Sequence, residues 1–183
     1  MIAVFAQSCG LLNQTGEYDR FVNSNFTFSH VEAIEIGGVD LSDVDEKTGL
    51  NAGDIMTLTG RVFSGGLPSK LKVYIEVENN TDKMAAISGM DWKLFMKDVE
   101  YANGVIENRV EVKPYSSKTF PVKADVDLMK ILQSESLVQI LKVVFNINDI
   151  DAVKKLDIEL KIKPYYKSGT KMKKYPGYIS LKP

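Results

Sequence analysis

KLKVYIEVENNTDKMAAISGMDWKLFM, residues Lys70 to Met96, decides the fold. Leu71, Val73, Ile75 and Val77 alternate with Lys70, Lys72, Tyr74, Glu76 and Glu78. An apolar residue at every second position gives one dry face and one wet face, the pattern of a half-buried β-strand. The run stops at Asn79-Asn80-Thr81-Asp82, whose short side chains bond to nearby backbone and tolerate turn dihedrals. A second strand follows, with Trp92, Leu94 and Met96 on its inner face.

The same reading extends in both directions. Asn25 to Ile36, NFTFSHVEAIEI, is rich in aromatic and branched residues and predicts the first strand, ended by Gly37-Gly38. Its His30 is the chain's single histidine, so it reads as a packed or surface imidazole rather than a zinc ligand. Asp54 to Ser64 carries Ile55, Leu58 and Val62 at helical spacing and predicts a short helix, with a strand through Met56, Leu58 and Val62 as the alternative. Gly104–Val112 and Ser116–Ala124 predict two more strands. Pro121 lacks a ladder donor, which places the second of these at a sheet edge or on a bulge. Asp125 or Asp127 then caps a main helix whose stripe runs through Leu128, Ile131, Leu132, Val138, Leu141 and Phe145. Leu156 to Lys163 repeats the clean alternation, and Tyr178 to Lys182 predicts the last strand.

A chain of 183 residues is long enough for one domain with a full core. Its 23 basic and 24 acidic residues nearly cancel, so the chain as a whole offers no field for nucleic acid, and any such preference is local. The acidic segment Asp40–Glu46 lacks the spacing of an EF-hand and predicts a solvated loop rather than a metal site. One cysteine, Cys9, excludes an internal disulfide and a thiolate metal cluster. Nucleophile elbows, P-loops, dinucleotide fingerprints and histidine pairs are missing from the sequence, so no catalytic residue and no cofactor is assigned.

Two segments carry the functional signal. The first is MIAVFAQSC, residues 1–9, in which an apolar run ends on Ser8-Cys9. It resembles the end of a bacterial lipoprotein signal peptide, which implies cleavage before Cys9 and lipid attachment to it. Residues 10–24 then predict a flexible tether, and 25–183 the folded domain. Gly10 after the cysteine resembles enteric lipoproteins sorted to the outer membrane of a Gram-negative cell. The second segment is PYYKSGTKMKKYPG, Pro164 to Gly177. From Leu160 to the end there are seven lysines and no acid. Tyr165, Tyr166, Lys171, Lys173, Lys174 and Tyr175 are therefore the candidate ligand-binding residues, because ammonium groups neutralise phosphates and aromatic faces stack on sugars or bases.

With the strands in place, a family resemblance follows from Val77-Glu78-Asn79-Asn80-Thr81, Gly89-Met90-Asp91-Trp92-Lys93-Leu94, Gly104, and Pro114-Tyr115-Ser116-Ser117 before Phe120-Pro121-Val122. These stretches resemble the late embryogenesis abundant type 2 family, also called the WHy domain. Asn80 and Thr81 stand where the family has a proline and a second asparagine. The resemblance implies a mainly-β, antiparallel β-sandwich of immunoglobulin or fibronectin type III kind with one main helix, to which the Asp54–Ser64 pattern adds a second short one. It also implies links to stress responses. The expected function is a non-catalytic, lipid-anchored envelope module that binds, scaffolds or protects, with the membrane and an envelope protein or glycan as partners. The alternatives are a soluble glycan- or nucleic-acid-binding module using the C-terminal hairpin, and a cytosolic desiccation protectant.

Overall fold

A computed structural model describes residues 8–42, 49–132, 157–168 and 170–183. In chain order its elements are α1 (Ser8–Val22), β1 (Asn25–Ile36), β2 (Val39–Asp40), α2 (Ala52–Phe63), β3 (Pro68–Asn79), β4 (Ala85–Ile87), β5 (Gly89–Met96), β6 (Val99–Ile106), β7 (Val110–Val112), β8 (Ser116–Asp127), α3 (Leu128–Leu132), β9 (Ile158–Ser168), β10 (Lys171–Lys174) and β11 (Ile179–Leu181).

The fold is mainly β, antiparallel and sandwich-like. One sheet runs β2-β1-β3-β8 and the other β10-β9-β5-β6, with β11 also on β9; β4 and β7 form a separate ladder. The apolar positions of β3 (Leu71, Val73, Ile75, Val77) are buried and face a shared core with Trp92, Leu94 and Met96 of β5 and Leu160 and Ile162 of β9. The alternation read from the sequence is thus the division between core and solvent. Pro121 lies in β8, which is an edge strand, and it is exposed there.

β1 matches its expected span and carries two register shifts, between Phe28 and His30 and between Ala33 and Glu35. Each shift adds a residue, so buried positions fall three apart at Phe28/Val31 and Ala33/Ile36. The first leaves His30 exposed, its ring stacked on Tyr74 at 4.2 Å, a cross-strand pair that holds the wet face together. α2 is the expected short helix, but it begins at Ala52. Asn51 is its cap, closing a capping box with Asp54. Leu58 is the buried residue of the expected stripe, while Ile55 is 54% exposed. Asp127 is the α3 cap: its Oδ1 accepts from Met129 N and also from Leu67 N. Val138, Leu141 and Phe145 of the expected main helix, and most of the Asp40–Glu46 acidic segment, lie outside the described residues.

Two expectations are corrected. Residues 10–24 are not a free tether, because α1 covers the β4 ladder and touches β9. Tyr18 and Phe21, one turn apart, are buried, and Arg20 Nε donates to Met84 O at 2.8 Å. Glu17 pairs with Arg109, which also holds Glu111. Two large rings and a shared guanidinium suffice to dock a helix too polar to announce itself by periodicity. The second correction concerns Gly104–Val112, which is the end of β6 and then β7 rather than one strand.

The turn after β3 is organised by one side chain. Asn79 is fully buried; its Nδ2 donates to Lys83 O, Val112 O and Lys113 O, and its Oδ1 accepts from Thr81 N and Thr81 Oγ1. Asn79→Asp removes the donors and buries a charge, so it is expected to cost at least about 3 kcal/mol. Urea unfolding measures this, and an unchanged midpoint refutes the assigned role.

Tyr18 gives a second prediction. Its hydroxyl is buried with no hydrogen-bond partner among the described residues, and burial, then Asp19, Tyr175 and Tyr166, pushes the phenol up to about 12. A folded pKa above the ordinary value of 10.0 means that α1 docking keeps its full stability below pH 10 and loses it as pH rises towards 12. Tyr18→Phe is expected to remove both the orphaned donor and this alkaline loss. It should raise the Tm by about 2–4 °C, for roughly 1 kcal/mol. A lower Tm for the variant contradicts this account.

Candidate functional site: the lysine and tyrosine hairpin

β9 and β10 pair with Tyr165 opposite Lys174, Tyr166 opposite Lys173, Lys167 opposite Met172 and Ser168 opposite Lys171. Cross-strand partners share a face and successive residues alternate. The sheet's outer face therefore carries Tyr165, Lys167, Met172 and Lys174, and the reverse face Tyr166, Lys171 and Lys173. The six expected residues lie on one hairpin, but the ladder divides them between two faces.

Tyr165 and Lys174 are committed to the fold. Tyr165 is only 2% exposed, because its ring lies over Gly89, the residue opposite it on β5. A Cβ on Gly89 would stand 2.5 Å from the Tyr165 hydroxyl. The Lys167 and Lys174 ammonium groups each sit 5.5 Å from the ring centroid, closing it from solvent. Burial raises the Tyr165 phenol pKa, with Glu107 and Asp91 adding to it. Lys174 Nζ lies 2.5 Å from Asp91 Oδ2, and that bond holds its pKa up. The expectation that Tyr165 offers a stacking face is thereby corrected.

On the reverse face, Tyr166 packs against Tyr18 with ring centroids 5.0 Å apart. Tyr175 is half-buried, and its N–H donates to Pro164 O at 2.8 Å. The Tyr166 ring docks α1, and the Tyr175 backbone bond closes the hairpin. Lys171 and Lys173 are exposed and, among the described residues, make no ion pair.

Two residues outside the expected six complete the surface. Lys163 and Lys167 also lack a carboxylate partner among the described residues, whereas Lys93, Lys161, Lys174 and Lys182 pair with Glu100, Glu159, Asp91 and Asp157. Lys163 lies over the Tyr178 ring at 5.2 Å. The Leu156–Lys163 alternation already turns Lys163 outward, but only the ladder shows that Asp91, opposite Lys163 on β5, gives its carboxylate to Lys174. Four lysines therefore stand at one end of the sheet without internal neutralisation, Lys163 and Lys167 on its outer face and Lys171 and Lys173 on the reverse.

A polar cleft of about 360 Å³ lies between the end of α1 and the β1/β3 end, lined by Asp19, Arg20, Asn25, Glu78, Asn80 and Thr81 among others. Arg20 is held by Met84 O, and Asn25 donates to Glu78. Among the described residues no group of three His, Cys, Asp or Glu side chains stands ready to hold a metal. Cys9 lies in the first turn of α1.

Neither a family model nor a curated protein matches the chain. The crystal structure of a protein from Archaeoglobus fulgidus is similar to it over 62% of this chain and 82% of that one, at 18% identity and a TM-score of 0.35.

Truncation of the buried ring separates fold from binding. Tyr165→Ala leaves a void over Gly89 and is expected to cost about 3 kcal/mol or more, as for other buried aromatics, while Tyr165→Phe should fall within about 1 kcal/mol of the parent. Thermal unfolding of the pair checks this. Equal stability of the alanine and phenylalanine variants shows that the ring is not structural.

Proposed function

We propose that this protein is a non-catalytic binding module of the cell envelope, anchored through a lipid on Cys9, that holds an anionic partner on its lysine hairpin. The observation that carries the reading is the unmatched charge of Lys163, Lys167, Lys171 and Lys173 beside a set of lysines that are all paired. A protein surface that neutralises four lysines and leaves four adjacent ones open presents a local positive potential despite a net charge of −1. The lipoprotein-like Ser8-Cys9 box supports the anchor, and two or more acyl chains make such an anchor stable.

Membership of the late embryogenesis abundant type 2 family belongs to this proposal as well. Its support is that the motif positions have distinct structural work: Asn79 closes the turn, and Gly89 and Gly104 receive aromatic rings. No catalytic step is assigned to any residue.

The test is an intact mass of the protein expressed from its own locus, after membrane and soluble fractions are separated. The expected species is membrane-bound, begins at Cys9 and carries acyl mass. A soluble species with an unmodified Cys9 thiol overturns the anchored reading.

A further inference from the structure

The hairpin end carries more than charge. Met172, the cross-strand partner of Lys167, is 48% exposed, and Tyr178, beneath the Lys163 ammonium, is 41% exposed. A phosphate-binding surface for a soluble ligand gains little from an exposed thioether, whereas lysines mixed with tyrosine and an apolar side chain match the two layers of a lipid interface. The ammonium groups meet phosphates, and the aromatic and apolar groups sit at headgroup depth. The hairpin is also tied to the helix that holds Cys9. Tyr166 of β9 packs on Tyr18 of α1, and Cys9 lies nine residues earlier in that helix, about 14 Å along its axis. A lipid on Cys9 would therefore be joined to the hairpin through a docked helix rather than through free chain.

We propose that the β9–β10 hairpin, at the exposed edge of its sheet, and Tyr178 form a docking edge for the headgroups of anionic phospholipids. On the outer face Lys163 and Lys167 neutralise the phosphates beside Met172 and Tyr178, which enter the headgroup layer, and Lys171 and Lys173 reach the same layer from the other side of the exposed edge strand β10. The inference rests on the anion-binding reading above and names its partner. It fixes the domain against the membrane instead of letting it swing on the anchor, because α1, docked on β4 and β9, is no longer free chain.

The test uses the full chain without lipid, floated with vesicles of phosphatidylethanolamine and phosphatidylglycerol, with phosphatidylcholine vesicles as the uncharged control. Heparin serves as a soluble polyanion in parallel. Binding is expected on the anionic vesicles only, weakening steeply between about 50 and 200 mM salt. Each lysine near an anionic surface is worth about a fivefold gain in partitioning, so K167E/K171E/K173E should bind at least about a hundredfold more weakly. All three side chains are exposed, and an unchanged circular dichroism spectrum confirms that the variant is folded. M172S should lower vesicle binding while leaving heparin binding unchanged. Heparin binding without vesicle binding overturns the lipid assignment but leaves the anion-binding module intact. Silence on both surfaces overturns the two together, and equal vesicle binding by parent and triple variant moves the membrane contact off the hairpin.

Discussion

The structure depends on the buried amide of Asn79. Asn79 ends β3, lies opposite Ser116 at the start of β8, and bonds to the carbonyls of Lys83, ahead of β4, and of Val112 and Lys113, at the end of β7. Tyr115 N donates to Thr81 O in the same turn. Four strand ends therefore meet on one side chain, and the chain's passage from one sheet to the other is fixed there. Three carbonyls share two amide hydrogens, which only a primary amide can supply at this size. In a low-dielectric interior such a satisfied network specifies one arrangement, and a half-satisfied one is worse than none. A sandwich of two separately plausible sheets becomes one structure because this turn admits a single geometry.

Two aromatic rings laid over glycines carry that geometry into the second sheet. Trp92 covers Gly104 on β6, where a Cβ would stand 2.6 Å from the indole, and Tyr165 covers Gly89 on β5. The first pair lies on the core face and the second on the outer face, so β5 is clamped from both sides. A glycine within a strand costs conformational entropy, and the ring that fills its space returns buried apolar area. The same clamp decides the chemistry of the hairpin. Tyr165 is withdrawn from any ligand because β5 needs it, and Asp91, two residues beyond Gly89, takes Lys174 with it.

Strands with one dry face were legible in the sequence because period two survives inspection: β3, β5 and β9 lie where alternation puts them, whereas β1 was legible from its aromatic and branched residues, its bulges having broken the period. β4 was not, since Ala85, Ala86 and Ile87 are all buried and carry no alternation. α1 was not, because its docking depends on Tyr18, Phe21 and a guanidinium ninety residues away, and long-range partners leave no local period. The site was half legible for a related reason. The lysines of residues 161–182 are plain in the sequence, but which of them keep their charge unmatched is a property of register. Lys161 finds Glu159 on its own strand, and Lys174 finds Asp91 across two strands, on β5.

Register also separates two explanations for the lysines themselves. An edge strand needs charged side chains to discourage pairing with another chain, and β10, an edge strand whose described side chains are all exposed, has Lys171 and Lys173 in that position. Edge protection accounts for those two. Lys163 and Lys167 lie on β9 instead: Lys163 is opposite Asp91 of β5, and Lys167, past the end of the β5 pairing, is opposite Met172 of β10. On an interior strand the usual remedy for a lysine is a carboxylate opposite, as Lys72 has in Glu32. Asp91 occupies that place opposite Lys163, yet its carboxylate reaches past it to Lys174. Positive charge is thus left open at Lys163, where the carboxylate opposite could have removed it, and at Lys167, where the partner is an exposed methionine, which is the arrangement an external anion would complete.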